Sequence, residues 1–121
     1  MSKGEQNIGF NRFKLVTIGK QYQVNWEIPG RALADLASVQ YILADKDPEV
    51  DSTAAILVTK TVGSGIVLTG SNDNVYALVT VDGADTTGLA QGSYFHRLDY
   101  VTTGGALHEN GRGAVKAVRR V

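Results

Sequence analysis

Hydrophobic residues recur at every second position along most of the chain, which is the period of a β-strand with one buried face. The clearest case is 21–28, where Tyr22, Val24, Trp26 and Ile28 alternate with Gln21, Gln23, Asn25 and Glu27. Four large side chains therefore share one face. Just upstream, Phe13, Leu15 and Thr17 alternate with Lys14, Val16 and Ile18, and Gly19-Lys20 supplies turn chemistry, so the pattern predicts a hairpin over 13–28. Pro29-Gly30 ends its second strand, because proline offers no N–H to a central ladder and glycine accepts turn geometry.

The same period continues downstream. Val39, Tyr41 and Leu43 fall on one face, 54–62 is rich in β-branched residues, and Gly63-Ser64-Gly65 leads into the apolar run 66–68. Turn residues crowd 70–74, after which Val75, Ala77, Val79 and Val81 alternate, followed by Tyr94, His96, Leu98 and Tyr100. Gly104-Gly105 then predicts a turn into a last strand over 107–118. Helix is confined to two short candidates, 31–36 and 85–89, with Asp85 as the cap of the second. Both fall below the roughly 12 to 15 residues at which an isolated helix is even marginal. Seven to eight short strands predict an all-β, antiparallel two-sheet sandwich, with a small closed barrel as the alternative. Its core should include Val24, Trp26, Tyr41, Val79, Leu89 and Leu98. Residues 1–12 form a polar N-terminal arm, 13–118 the sandwich and 119–121 a basic end.

Composition narrows the chemistry. The 121 residues allow one domain, and with no cysteine its stability must come from apolar burial rather than from disulfides or thiolate metal sites. No apolar run is long enough to span a bilayer, and the polar start lacks the apolar stretch of a secretory signal, so the expected compartment is a cytoplasm. The formal net charge is zero, but residues 1–29 carry +2, residues 30–100 carry −5 and residues 101–121 carry +3. Basic ends and an acidic body fit a plainly solvated surface or, alternatively, self-complementary assembly in which the ends of one copy meet the body of another. Nucleic acid is excluded as a partner, because Arg112, Lys116, Arg119 and Arg120 are few, lack interleaved aromatics and adjoin an acidic body.

No catalytic constellation emerges. His96 falls on the face of Tyr94 and Leu98, where a structural role is expected, and His108 follows a turn beside Glu109, where it should be solvated. Gly63-Ser64-Gly65 and Gly111-Arg112-Gly113 neither open a helix nor carry the lysine and hydroxyl of a phosphate loop. Asp45, Asp47, Glu49 and Asp51 alternate as in a calcium loop but lack its glycine and closing glutamate, which favours a solvated loop. Asp82, Asp85 and Asp99 are the carboxylates from which a glycosidase pair would have to come. The aromatics Tyr22, Trp26, Tyr41, Tyr94 and Phe95 take alternating positions that a core demands, before any sugar platform. No enzyme activity, cofactor or metal is expected.

The order of these segments carries a resemblance. Asp35-Leu36-Ala37 entering a strand, Lys60-Thr61 running into Gly63-Ser64-Gly65-Ile66, then Asp85-Thr86-Thr87-Gly88-Leu89, Gly92-Ser93-Tyr94 and Leu98-Asp99-Tyr100 resemble the immunoglobulin-like domains of tailed-phage virion proteins. The pattern is similar to the N-terminal domain of phage baseplate upper proteins and to small phage tail and neck proteins. It spans about 13–118. This chain has Asp35-Leu36-Ala37-Ser38 where the pattern has Asp-Leu-Thr-Gly, and its basic ending lies outside the pattern. The resemblance implies an immunoglobulin-like sandwich and a non-enzymatic structural component of a phage tail, neck, head–tail connector or baseplate. Such a protein is made in the host cytoplasm, resides in the virion, binds other virion proteins and itself, and touches no membrane. Lys3, Arg12, Arg112, Lys116, Arg119 and Arg120 are then the expected assembly contacts. The alternatives are a capsid decoration protein or a carbohydrate-binding adhesion module of similar fold.

Overall fold

The computed structural model describes residues 13–70 and 73–119. Eight strands form: β1 (Lys14–Thr17), β2 (Tyr22–Pro29), β3 (Leu36–Ala44), β4 (Ile56–Val62), β5 (Gly65–Gly70), β6 (Asn74–Val81), β7 (Gly92–Thr102) and β8 (Leu107–Val118). A 3-10 turn at Leu33–Asp35 precedes β3, and one helical turn, α1 (Gly83–Thr86), links β6 to β7. The hydrogen-bonded order is β1-β8-β7-β3-β4-β5-β6-β2. β4 and β5 meet only at Thr61 with Gly65 and Val62 with Ile66, so the sheet folds over at that corner. One layer, β1-β8-β7-β3-β4, faces the other, β5-β6-β2. The result is an all-β, mostly antiparallel immunoglobulin-like sandwich, curved so far that its two end strands are joined by a tight turn.

That turn corrects the expected 13–28 hairpin. β1 bonds in parallel to β8, with Lys14 opposite Val115 and Thr17 opposite Val118. β2 instead pairs antiparallel with β6, placing Val24 opposite Val79 and Trp26 opposite Ala77. Gly19-Lys20 thus reverses the chain between layers rather than within one sheet. Gly19 has φ of 86°, and its N–H donates to Thr86 Oγ1 at 2.9 Å. A side chain on Gly83 would collide with the carbonyl of Gly19, so α1 and the turn approach backbone to backbone.

Inward positions follow the alternation closely. Val24, Trp26, Ile28, Val39, Tyr41, Leu43, Val79 and Leu98 are buried in one continuous core. Leu89 is a correction: it is half-buried at the margin of that core, and the fully buried residue of the β6–β7 connection is Thr86. The cap of the helical turn lies three residues earlier than the sequence suggests, at Asp82, with Asp85 accepting the Asp82 N–H at 3.1 Å. That offset points Thr86 inward and leaves Leu89 at the rim. Lys60 shares the inward face of Val58 and runs over Gly65 to Asp85 at 2.9 Å, closing one end of the sandwich.

Trp26 is the largest buried side chain, so Trp26→Ala is expected to lower unfolding free energy by about 3 to 5 kcal/mol. Urea denaturation followed by circular dichroism measures it; a loss below about 1 kcal/mol would contradict the packing described.

Candidate functional site

Both histidines are engaged inside the fold. His96 is fully buried, with its ring 5.0 Å from Trp26 and 5.6 Å from Tyr41. Tyr41 Oη lies 2.9 Å from His96 Nδ1 and 2.8 Å from Tyr22 Oη. With the imidazole proton on Nε2, Tyr22 donates to Tyr41 and Tyr41 to Nδ1, which satisfies three polar groups without water. Burial pushes the Tyr22 hydroxyl up to about 12, opposed by its bond to Tyr41 and aided by the charge of Asp85. Burial likewise holds Tyr41 well above its ordinary value. The β7 start adds another fixed point, Tyr94, whose hydroxyl donates to the Ala90 carbonyl at 2.7 Å across the corner.

The outward face of β3, β7 and β8 is organised by charge. Ile42 and Ala44 point away from the main core yet are buried. The acidic loop 45–55 explains them, because it folds back over this face and is pinned there. Asp47 accepts from Arg112 on β8 at 3.0 Å, and Glu49 lies 3.8 Å from Arg97 on β7, next to Ile42 in register. Arg97 also bonds Asp99 at 3.0 Å and Arg112 bonds Glu109 at 3.2 Å. Burial raises the Asp99 carboxyl above its ordinary value against the lowering effect of Arg97, and raises Glu109 against that of Arg112. The remaining loop carboxylates shape the backbone: Asp45 accepts from the Ala55 N–H, and Asp51 from the Thr53 N–H and hydroxyl. Those Thr53 bonds lower the Asp51 carboxyl.

Beyond the loop, the same face is open. A hollow of about 360 Å³ lies between β3, β7 and the end of β4, lined by Ser38, Gln40, Thr61, Val62, Asp99 and Leu107 among others. Leu107 is 71% exposed and Val62 48%, so apolar side chains stand open at the hollow. At the adjoining end, His108 stacks on Tyr100 with centroids 5.1 Å apart, and Arg31 lies over the Tyr100 ring. Arg31 Nη2 is 3.4 Å from His108 Nε2. This corrects the expectation of a solvated His108: the stacking and the guanidinium shield it.

The expected assembly residues scatter. Arg112 holds the acidic loop of its own chain, Arg119 donates to the Leu89 carbonyl at 3.0 Å, and Lys116 is exposed on β8. Lys3, Arg12 and Arg120 lie outside the described residues. Asp85 and Asp99, candidates for a carboxylate pair, are held apart, by Lys60 at the α1 end and by Arg97 at the middle of β7. Among the described residues no group of three or more possible ligands is placed to hold a metal ion. The hollow and the Arg97–Arg112 network were missed from sequence. The only signal was outward-facing arginine at alternating positions of the two strands.

No protein-family model and no curated protein matches the sequence. Solved structures of similar shape include CopC from Methylosinus trichosporium OB3b, at 16% identity and TM-score 0.45 over 89% of this chain and 87% of that one. A chain from the structure explaining T-cell activation by toxic shock syndrome toxin-1 gives 9% and 0.48 over 88% and 92%. The extracellular domain of the voltage-gated sodium channel β4 subunit gives 14% and 0.33 over 90% and 92%. At these values none of the three names a ligand or partner for this chain.

Two outcomes follow from the site. Tyr41→Phe leaves the Tyr22 hydroxyl and His96 Nδ1 without their shared partner and should cost about 1 to 3 kcal/mol in urea denaturation. In the native chain, the unfolded state ionises tyrosine from about pH 10 while folded Tyr22 keeps its proton to about 12, so stability is complete below pH 10 and falls between 10 and 12; tyrosinate absorbance should rise together with loss of circular dichroism. Separately, Arg97→Ala with Arg112→Ala should free the 45–55 loop and speed tryptic cleavage after Lys46 relative to cleavage after Lys60.

Proposed function

We propose that this chain is a non-enzymatic structural component of a tailed-phage particle, belonging to the tail, neck, head–tail connector or baseplate, and that it works by docking against other virion proteins and copies of itself. The observation that carries the reading is the open hollow with its exposed Leu107 and Val62, on a sandwich whose histidines and neighbouring carboxylates are engaged in holding the fold. A hollow with exposed apolar side chains suits a protein surface, where a few buried apolar anchors supply most of the affinity. The motif order over 85–99 adds the link to phage virion domains. Capsid decoration uses the same surface chemistry and remains within this proposal. A sugar-binding adhesion module is less favoured, because the large exposed aromatics among the described residues, Phe13 and Tyr76, lie on different layers and form no platform.

Charge contributes steering more than affinity. Arg112 is already paired within the chain, whereas Lys116 stands exposed on β8 toward neighbours; Lys3, Arg12 and Arg120 lie outside the described residues. Each such rim pair is worth about 0 to 1 kcal/mol, so binding strength comes from repetition around a symmetric assembly.

Sedimentation over a wide concentration range, together with incorporation of tagged chain into phage particles, tests the reading. Leu107→Asp should keep the circular dichroism of the native chain and abolish both self-association and incorporation. A chain that remains monomeric throughout and never enters particles would overturn it, as would DNA binding lost on reversing Arg119 and Arg120 to glutamate while incorporation persists.

A further inference from the structure

The acidic loop 45–55 is a strap over the outer face of β3, β7 and β8, and it is assembled so that it can leave as a unit. Its two ends bond each other: the Asp45 N–H donates to the Ala55 carbonyl at 3.1 Å, and the Ala55 N–H to Asp45 Oδ1 at 2.8 Å. Between them the Asp47 carbonyl accepts from the Val50 and Asp51 N–H groups, Asp47 Oδ1 from the Glu49 N–H, and the Asp51 carbonyl from the Ala54 N–H. These bonds run within 45–55, so its shape persists when the sheet lets go. Val50 is 83% exposed and gives the strap no anchor. The ion pairs that tie it to the sheet are Asp47 Oδ2 on Arg112 and Glu49 on Arg97.

What the strap covers continues the hollow. Across the outer face, Thr61, Gln40 and Asp99 stand in one row of the register, and Thr59, Ile42, Arg97 and Arg112 stand in the next. The first row lines the hollow, and the second is where the strap is tied. Ile42 and Ala44 are buried there without belonging to the main core. Arg97 and Arg112 lie opposite one another, so carboxylates two residues apart, as in Asp47 and Glu49, reach both. Asp99 and Glu109 bond the same two guanidiniums from their own strands, which keeps them in place whether or not the strap is closed.

We propose that 45–55 is a displaceable strap, and that an acidic segment of a partner protein, with carboxylates two residues apart, takes its place on Arg97 and Arg112. The strap is then a ligand that the chain supplies to itself, and its closure keeps Ile42 and Ala44 from water between encounters. Part-exposed ion pairs of this kind hold weakly and are screened by salt, so the strap opens without unfolding of the sandwich. While it is closed the arginines are occupied, and a partner's apparent affinity is reduced by the fraction of time the strap is open. The partner's chemistry deepens the docking reading and rests on it, whereas the motion of the strap does not.

The chain has no cysteine, so Ala44→Cys places a single thiol under the strap, and Ala77→Cys places one in the main core opposite Trp26. The thiol under the strap should react with an aromatic disulfide reagent about tenfold or more faster than the core thiol, and faster again when salt rises to about 1 M, where the screening length is about 3 Å. Equal rates at the two positions, or no response to salt, would overturn the proposal; Ile42→Cys gives the same readout should Ala44→Cys fail to fold. Asp47→Asn with Glu49→Gln removes the tie yet keeps the oxygen that accepts the Glu49 N–H. That variant should bind a labelled synthetic peptide of sequence 45–52, followed by fluorescence anisotropy, about three- to tenfold more tightly than the native chain, and adding Arg112→Gln should abolish the gain. Binding no tighter than native, or a gain that survives Arg112→Gln, would overturn the assigned partner chemistry. All these readouts use the isolated protein, so their failure leaves the particle reading standing, and a chain that never enters particles leaves the motion of the strap standing.

Discussion

The contact on which the fold depends is the meeting of Trp26 from one layer with Tyr41 and His96 from the other. Immunoglobulin-like sandwiches must keep two sheets in register across a thin core, and a chain without cysteine has no covalent tie between them. Here an indole, a phenol and an imidazole fill that middle, their ring centres between 5.0 and 6.2 Å apart. Rings of this size bury large area, but each brings a polar atom into the core with it. The Tyr22–Tyr41–His96 chain bonds the two hydroxyls and His96 Nδ1, and because each bond needs a partner on a different strand it also fixes how β2, β3 and β7 align. His96 faces Gly113 on the neighbouring strand, and Trp26 faces Ala77. Small residues beside large ones make room for the cluster.

A second consequence concerns the outer face. Once the inner positions of β3 and β7 are committed to the core, their outer positions must meet solvent or be covered. Ile42 and Ala44 are covered by the acidic loop, and the loop stays because Arg97 and Arg112 project from β7 and β8 beneath it. The charge imbalance along the sequence is therefore partly resolved inside one molecule, the acidic body meeting an arginine of the basic C-terminal region. Individually such pairs contribute little, but two arginines each sharing two carboxylates lose less side-chain entropy per contact than isolated pairs do.

Period-two patterning made most strands legible, β2 above all, because its inner and outer faces are chemically opposite at every residue. What the pattern does not carry is pairing. Gly19-Lys20 announces a reversal, but the partner of β1 is β8, about a hundred residues away along the chain, and only the closing of the sandwich brings them together. Leu89 was misplaced for a related reason: a one-turn helix shifts its inward position with its cap, and the cap is Asp82 rather than the expected Asp85. The acidic loop was legible as acid but not as a strap, since its arginines lie on two distant strands. His96 showed the right face without its bonds, and its tyrosine partners were marked only as core.

The location of the hollow follows from the same geometry. The strap is tied down where Arg97 and Arg112 reach it, opposite one another at the middle of β7. Toward the other end, β8 carries a bulge where Leu98 pairs with Gly111 but Asp99 with Glu109, so Asn110 is set apart and bonds the Glu27 carbonyl on β2. The bulge turns Glu109 back toward Arg112 and lifts Leu107 to the rim. An apolar residue left exposed by a bulge that also closes the sandwich is held rigidly, unlike one on a free loop tip. A rigid apolar rim needs little ordering when a partner covers it. If this face docks as proposed, the interactions that stabilise the fold also fix the edge that a partner would meet.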